Sequence, residues 1–129
     1  MIPYLEWNKD ENSEVPTLEE LNRLIGQLET EGRTSRAFTV TLRVNDETGM
    51  TMVVGRQESH ITFYDANARP PVRGCTGPWD DDQLIVYSYR GHYSEIPRRF
   101  CVPIADAREA MRVYFRTGQR PENLSWNEW

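Results

Sequence analysis

The chain has 129 residues, two cysteines and a formal net charge of −5, from 15 Lys and Arg against 20 Asp and Glu. That length fits one domain spanning residues 1–129, large enough to bury a core. The negative balance argues against nucleic acid as a partner, because phosphate contacts need clustered cations; no membrane partner is expected either, since no apolar run approaches the roughly 20 residues of a spanning helix.

Residues 1–7 read as a short strand or an arm, and the polar, acidic residues 8–15 as a loop. Thr17 is an N-cap candidate with Glu20 three positions on, which forms a capping box. Leu18, Leu21, Leu24, Ile25 and Leu28 then give a helical stripe that is expected to end near Gly32. From residue 36 the period changes. Phe38, Val40, Leu42 and Val44 alternate with polar residues, so a strand with one buried face is expected. Residues 45–49 signal a turn, residues 50–56 a return strand, and residues 59–65 a third strand in an antiparallel meander.

Residues 66–82 hold three prolines and two glycines and read as the one long irregular segment. Residues 83–90 resume a strand, residues 91–97 read as a turn or bulge, and residues 98–104 as another strand. The clearest helix follows. Asp106 stands as its N-cap with Glu109 three positions later, and Ala107, Ala110, Met111, Tyr114 and Phe115 form its apolar stripe. Gly118 supplies the left-handed stop and Pro121 forbids continuation. Residues 123–126 read as a short final strand in which Trp126 is the anchor. The order predicts an α+β domain, an antiparallel β-sheet with both helices packed on one face. Phe38, Val40, Leu42, Met111, Phe115 and Trp126 are expected to be largely buried.

Several groups invite a chemical reading. Cys75 in the irregular segment and His60 or His92 at strand edges would allow a Cys–His nucleophile pair, yet no strained elbow, glycine-rich oxyanion loop or orienting carboxylate accompanies them. Asp80, Asp81 and Asp82 lack the spacing and turn glycine of a calcium loop, so they read as a solvated acidic loop or as an anionic patch facing a basic surface. Trp79 beside them is either an interface anchor with a charged rim or a residue tucked onto the core. Tyr87, Tyr89 and Tyr93, with Arg90, Arg98 and Arg99, form an aromatic and basic neighbourhood suited to sheet packing or protein recognition. No nucleotide fingerprint or zinc spacing occurs, so neither cofactor nor metal is expected. The start of the chain has no basic segment followed by an apolar core, so no secretory leader is expected. Two cysteines suit reduced thiols in a cytoplasmic protein, with a single bridge between Cys75 and Cys101 left open.

The last quarter of the chain resembles family one of the immunity proteins of bacterial polymorphic toxin systems. Members typically end in a Val- or Ile-rich strand, an Ala-rich helix and a Thr-Gly-x-Arg-Pro-x-x-(apolar)-x-Trp tail. The matching residues are Val102, Pro103, Ala107, Ala110, Phe115, Thr117, Gly118, Arg120, Pro121, Leu124 and Trp126. The resemblance implies a non-enzymatic inhibitor that binds a cognate toxin and blocks its active site, the toxin often being a nucleic-acid deaminase with a basic substrate channel. An acidic inhibitor suits such a partner. Gly118, Pro121 and Trp126 are assigned to the scaffold. Toxin contacts are expected at Trp79, Asp80, Asp81 and Asp82 and along the strand edges that carry Tyr87, Tyr89 and Tyr93. A secretion chaperone or adaptor for the same effector, and a small Cys/His enzyme, are the alternatives.

Overall fold

The computed structural model describes residues 1–127; the last two residues of the expected domain lie outside the described residues. Tyr4–Trp7 (β1) and Glu11–Glu14 (β2) form an antiparallel hairpin that turns through Asn8 at φ 54°. The sequence reads β2 as loop because this edge strand is solvated on both faces and so carries no apolar alternation. Leu18–Thr34 (α1) follows, and Thr17 caps it as expected: its side-chain oxygen accepts the Glu20 N–H at 3.2 Å.

Phe38–Arg43 (β3) and Thr48–Val54 (β4) make the central hairpin, whose turn is tied by Asn45 Oδ1 accepting the N–H groups of Glu47 and Thr48 at 2.9 and 2.8 Å. The expected third strand is broken into Glu58–Ser59 (β5) and Thr62–Asp65 (β6). The expected irregular segment contains a strand, Val72–Thr76 (β7), antiparallel to β6. The prolines that suggested a loop, Pro70, Pro71 and Pro78, lie outside it on either side. Leu84–Tyr89 (β8) and His92–Pro97 (β9) form a full hairpin; only Arg90 and Gly91, at φ 51° and 88°, turn.

Where residues 98–104 were expected to be one strand, Arg98–Phe100 is a 3₁₀ turn and Val102–Pro103 (β10) pairs only with β5. The chain then enters Ile104–Thr117 (α2) directly. Asp106 is therefore not the cap. Pro103 occupies that position, and the Ile104 N–H is satisfied by the Gln57 carbonyl at 2.8 Å. Asp106 sits in the first turn, where its charge suits the helix dipole. Gly118 ends α2 at φ 66°, and Ser125–Trp126 (β11) closes the chain onto β7.

Among the described residues, nine strands share one sheet. Its main path is β11-β7-β6-β4-β3-β1-β2, and the β8–β9 hairpin joins at a single parallel position, Phe38 beside Ser88. Register fixes the two faces. Phe38, Val40 and Leu42 lie beside Val54, Met52 and Met50 on one face, and Phe63 continues that row. All are buried, in one cluster with Leu21, Leu24, Ile25 and Leu28 of α1 and Ala107, Ala110, Met111 and Tyr114 of α2. Both helices thus cover the same face. Phe115 and Trp126 are only partly buried and pack against the rim of this cluster. They border solvent because they lie at the end of α2 and on the sheet's edge strand.

Gly32 does not end α1, which runs on to Thr34. It marks the place where helix and sheet touch backbone to backbone: a Cβ there would stand 2.8 Å from Gly55 Cα and 2.9 Å from the Val54 carbonyl oxygen. Ala normally stabilises a helix interior over Gly by about 0.5–1 kcal/mol. At this position the sign is expected to reverse. Gly32→Ala should lower stability by about 1–3 kcal/mol, the usual effect of overpacking, read as a reduced midpoint in urea unfolding at unchanged slope.

Candidate functional site

Among the described residues, nothing covers much of the sheet face opposite the helices. Thr39, Thr41 and Arg43 of β3 alternate with the core residues and point there, next to Val53 and Thr51 of β4. Thr62 and Tyr64 of β6, paired with Thr51 and Gly49, extend the same face. Thr41 and Thr51 share a hydroxyl hydrogen bond of 2.7 Å, and Arg43 pairs with Glu6 of β1 at 3.2 Å. Cross-strand pairs of this type hold neighbouring strands together by about 0.2–1 kcal/mol each.

The face is concave. The β1–β2 turn rises on one side, and the tip of the β8–β9 hairpin meets it, with the Arg90 guanidinium reaching the Lys9 carbonyl at 3.5 Å. Between them lies a polar trough of about 420 Å³ with Tyr64 and Tyr89 on its walls, exposed by 39% and 49%. At the end near Phe38 the hairpin closes over the sheet, which explains why Val53 and Ile85 are buried outside the main cluster.

The residues singled out in the sequence separate into two places. Tyr87 and Tyr89 alternate onto one face of the hairpin, and Tyr89 lines the trough. Burial raises the Tyr87 pKa above its ordinary value. Tyr93, opposite Ser88, points the other way; it is 70% exposed and its phenol donates to Glu95 at 2.8 Å. Trp79, Asp80, Asp81 and Asp82 lie at the base of the hairpin, away from the trough lining. There Arg98 is the organiser. Its guanidinium stacks 4.5 Å from the Trp79 ring centre and pairs with Asp81 at 3.3 Å and Glu58 at 3.2 Å. Asp82 pairs with Arg99 at 3.1 Å, while Asp80 is exposed. The loop is held at backbone level as well, by Arg98 N–H to the Gln83 carbonyl and Arg99 N–H to the Asp81 carbonyl.

Cys75 and His60 do come together, with Sγ 4.0 Å from Nδ1, but both aim at the Phe100 carbonyl: the thiol at 3.3 Å and Nδ1 at 2.6 Å. A carbonyl only accepts, so Nδ1 carries a proton there and cannot serve as base for the thiol. Burial pushes the Cys75 thiol up to about 11 and the Cys101 thiol up to about 12. Both cysteines are free, and no group of three or more ionisable side chains among the described residues could hold a metal. Among the described residues no helix is long and apolar enough to cross a membrane.

A one-sided α+β sheet, ending in the capped α2 and the Trp126 anchor, is therefore paired with a polar, uncovered face. The family model described as Immunity protein Imm1 matches residues 9–128. The chain belongs to the Imm1 immunity protein family. No curated protein matches it. Immunity proteins act on a toxin partner, so the surfaces of interest are those the Imm1 core leaves free. In the tail, Gly118 sets the turn and Pro121 is buried. Trp126 donates its indole N–H to the Pro121 carbonyl at 2.9 Å and meets Phe63 edge-on at 6.3 Å. The uncovered threonine face was missed from sequence, though its signal was present: Thr41, Thr51 and Thr62, with Thr39 buried at the closed end, are the polar half of the alternation that located the core.

The thiol environments set an expectation. In the folded protein at pH 8, both cysteines lie far below their raised pKa values and stay protonated, so they should react with a disulfide reagent at least tenfold more slowly than in denaturant, since the thiolate is the reactive form. Spectrophotometric titration in buffer and in guanidinium checks this; fast labelling of either thiol in the native protein would contradict the burial.

Proposed function

We propose that this Imm1 protein binds a cognate toxin through its uncovered sheet face and neutralises it by covering the toxin's active site, with no chemistry of its own. The observation that carries the reading is the concave face itself, built from side chains the core does not use. We infer further that the toxin is a nucleic-acid deaminase. The resemblance of the tail supports this, as does the net charge of −5, which suits the basic channel such an enzyme needs. Tyr87 and Tyr89 would contribute aromatic contacts at the trough. Trp79, Asp80, Asp81 and Asp82, with Tyr93, would form the rim, Asp80 offering the carboxylate not engaged in an ion pair with Arg98 or Arg99.

The test uses the C-terminal domain of the protein encoded immediately upstream. Co-expression should rescue growth, and the purified pair should form a complex in which deamination of single-stranded DNA or RNA is lost. Thr51→Arg places a long cation in the floor of the trough and removes the part-buried hydroxyl bond to Thr41, a cross-strand pair worth about 0.2–1 kcal/mol. It should weaken toxin binding at least tenfold with a nearly unchanged melting temperature. Parent-like binding by this variant would exclude the trough as the contact surface.

Charge at the rim acts on a different quantity. Replacing Asp80, Asp81 and Asp82 together with Asn removes three negative charges and the ion pairs of Asp81 with Arg98 and Asp82 with Arg99, while Arg98 keeps Glu58. Association with a basic toxin should slow and lose much of its salt dependence, while dissociation changes little. Exposed pairs are worth about 0–1 kcal/mol each, so a small loss of stability is expected. Stopped-flow association at two salt concentrations reads both effects; unaltered rates at low salt would remove the loop from the steering surface.

A further inference from the structure

At the β6–β7 end of the uncovered face the polar trough gives way to a small apolar recess of about 290 Å³. It shares Thr62 and Val72 with the trough and is completed by His60, Gly74, Cys75, Ile96, Phe100 and Asn127. Val72 is 47% exposed at its mouth. Its volume is at the lower bound of about 300 Å³ for small-molecule pockets, and leaves room for one large side chain.

His60, Thr62 and Asn127 are the polar residues of a lining that is otherwise apolar, and His60 is the one that lies across its floor. The His60 imidazole lies across Gly74, where a Cβ would stand 3.0 Å from its Cε1 and 3.2 Å from its Nε2. Gly74 is cross-strand neighbour to Thr62, so this is the uncovered side of the sheet. Nδ1 is committed as a donor to the Phe100 carbonyl at 2.6 Å. Burial lowers the His60 pKa, which keeps the ring neutral. In the neutral ring the other nitrogen is then a bare acceptor. Nε2 lies on the Gly74 side of the ring, at the recess, and has no donor among the described residues.

We propose that the recess is a socket for one aromatic side chain bearing a polar hydrogen, a tryptophan or tyrosine of the toxin, whose ring fills the apolar walls and whose N–H or O–H donates to His60 Nε2. The proposal depends on the reading that the uncovered face meets the toxin. The requirement for both shape and a donor separates such residues from phenylalanine or leucine. A site built to pair a polar hydrogen discriminates against a partner that lacks it.

The test does not need the toxin. Full-length protein carrying ¹⁵N-histidine is titrated with N-acetyl-tryptophanamide and with its indole N-methyl analogue. The first should shift the His60 Nε2 resonance in a saturable way and leave His92, which is exposed, unmoved. The methylated probe should bind about fivefold more weakly, the effect of one hydrogen bond. Val72→Arg, at an exposed position that the fold tolerates, should abolish both titrations. No response at His60 up to the solubility limit, or equal affinity for the two probes, would overturn the proposal. With the toxin, Val72→Arg should weaken the complex at least tenfold. If Val72→Arg binds like the parent while Thr51→Arg does not, the socket falls and the trough reading stands.

Discussion

Pairing between β3 and β4 decides which side chains in this protein are dry. The register sets Val40 beside Met52 and Leu42 beside Met50, so one face of the hairpin is continuously apolar and must be covered. The helices supply the cover, and they sit close because Gly32 and Gly55 let α1 lie backbone to backbone on the end of β4. A slip of one residue would send the methionines into the trough and the threonines into the core. The threonine face is thus a consequence of the same register that makes the core. Its polarity is the condition for leaving it uncovered in water.

The β8–β9 hairpin is attached by different means. It touches β3 at one bridge, Phe38 beside Ser88, and its base is fixed by Arg98. A partly buried guanidinium with carboxylates on two sides and an indole on its face is a strong local tie, since each contact lowers the cost of burying the charge. Arg98 therefore ties its own 3₁₀ turn to two other segments: β5 through Glu58, and the loop of residues 79–82 through Asp81 and Trp79. This arrangement sets the wall of the trough. It also engages part of the negative charge that the Asp triplet displays in the linear sequence.

Elements with one buried face were legible from sequence, since periodicity reports burial. α1, β3, β4 and α2 were found that way, and Leu21, Val40, Met111 and Tyr114 all lie in the main core. Elements held by other forces were not. β2 is solvated on both faces, and β7 follows a proline pair that masked it. The 3₁₀ turn at Arg98–Phe100 exists because the chain must cross from the hairpin to β10. Asp106 illustrates a different failure. The capping pattern is real, but tertiary contact at Gln57 had already satisfied the first donor of the helix. For the site, the aromatic and acidic residues were visible as types. Their distribution over two faces of one hairpin, and the pairing of Asp81 and Asp82 with arginines, depend on long-range contacts that no local pattern encodes.

The division of labour between faces bears on how an immunity protein can change partners. Gly118, Pro121, Leu124 and Trp126 act on the helix side, where substitutions alter packing. The trough residues act on the other side, where a threonine hydroxyl or an exposed tyrosine contributes little to the core. A change at Thr51 or Tyr64 alters the proposed recognition surface at a cost of about 0.2–1 kcal/mol in strand pairing, small against the roughly 5–15 kcal/mol that holds a domain of this size together. His60 is the exception. It spans both roles, since its Nδ1 bond to Phe100 secures the 3₁₀ turn while its ring lines the recess. Specificity that used this ring would therefore be anchored in the scaffold, and the threonines around it would be free to vary with the partner.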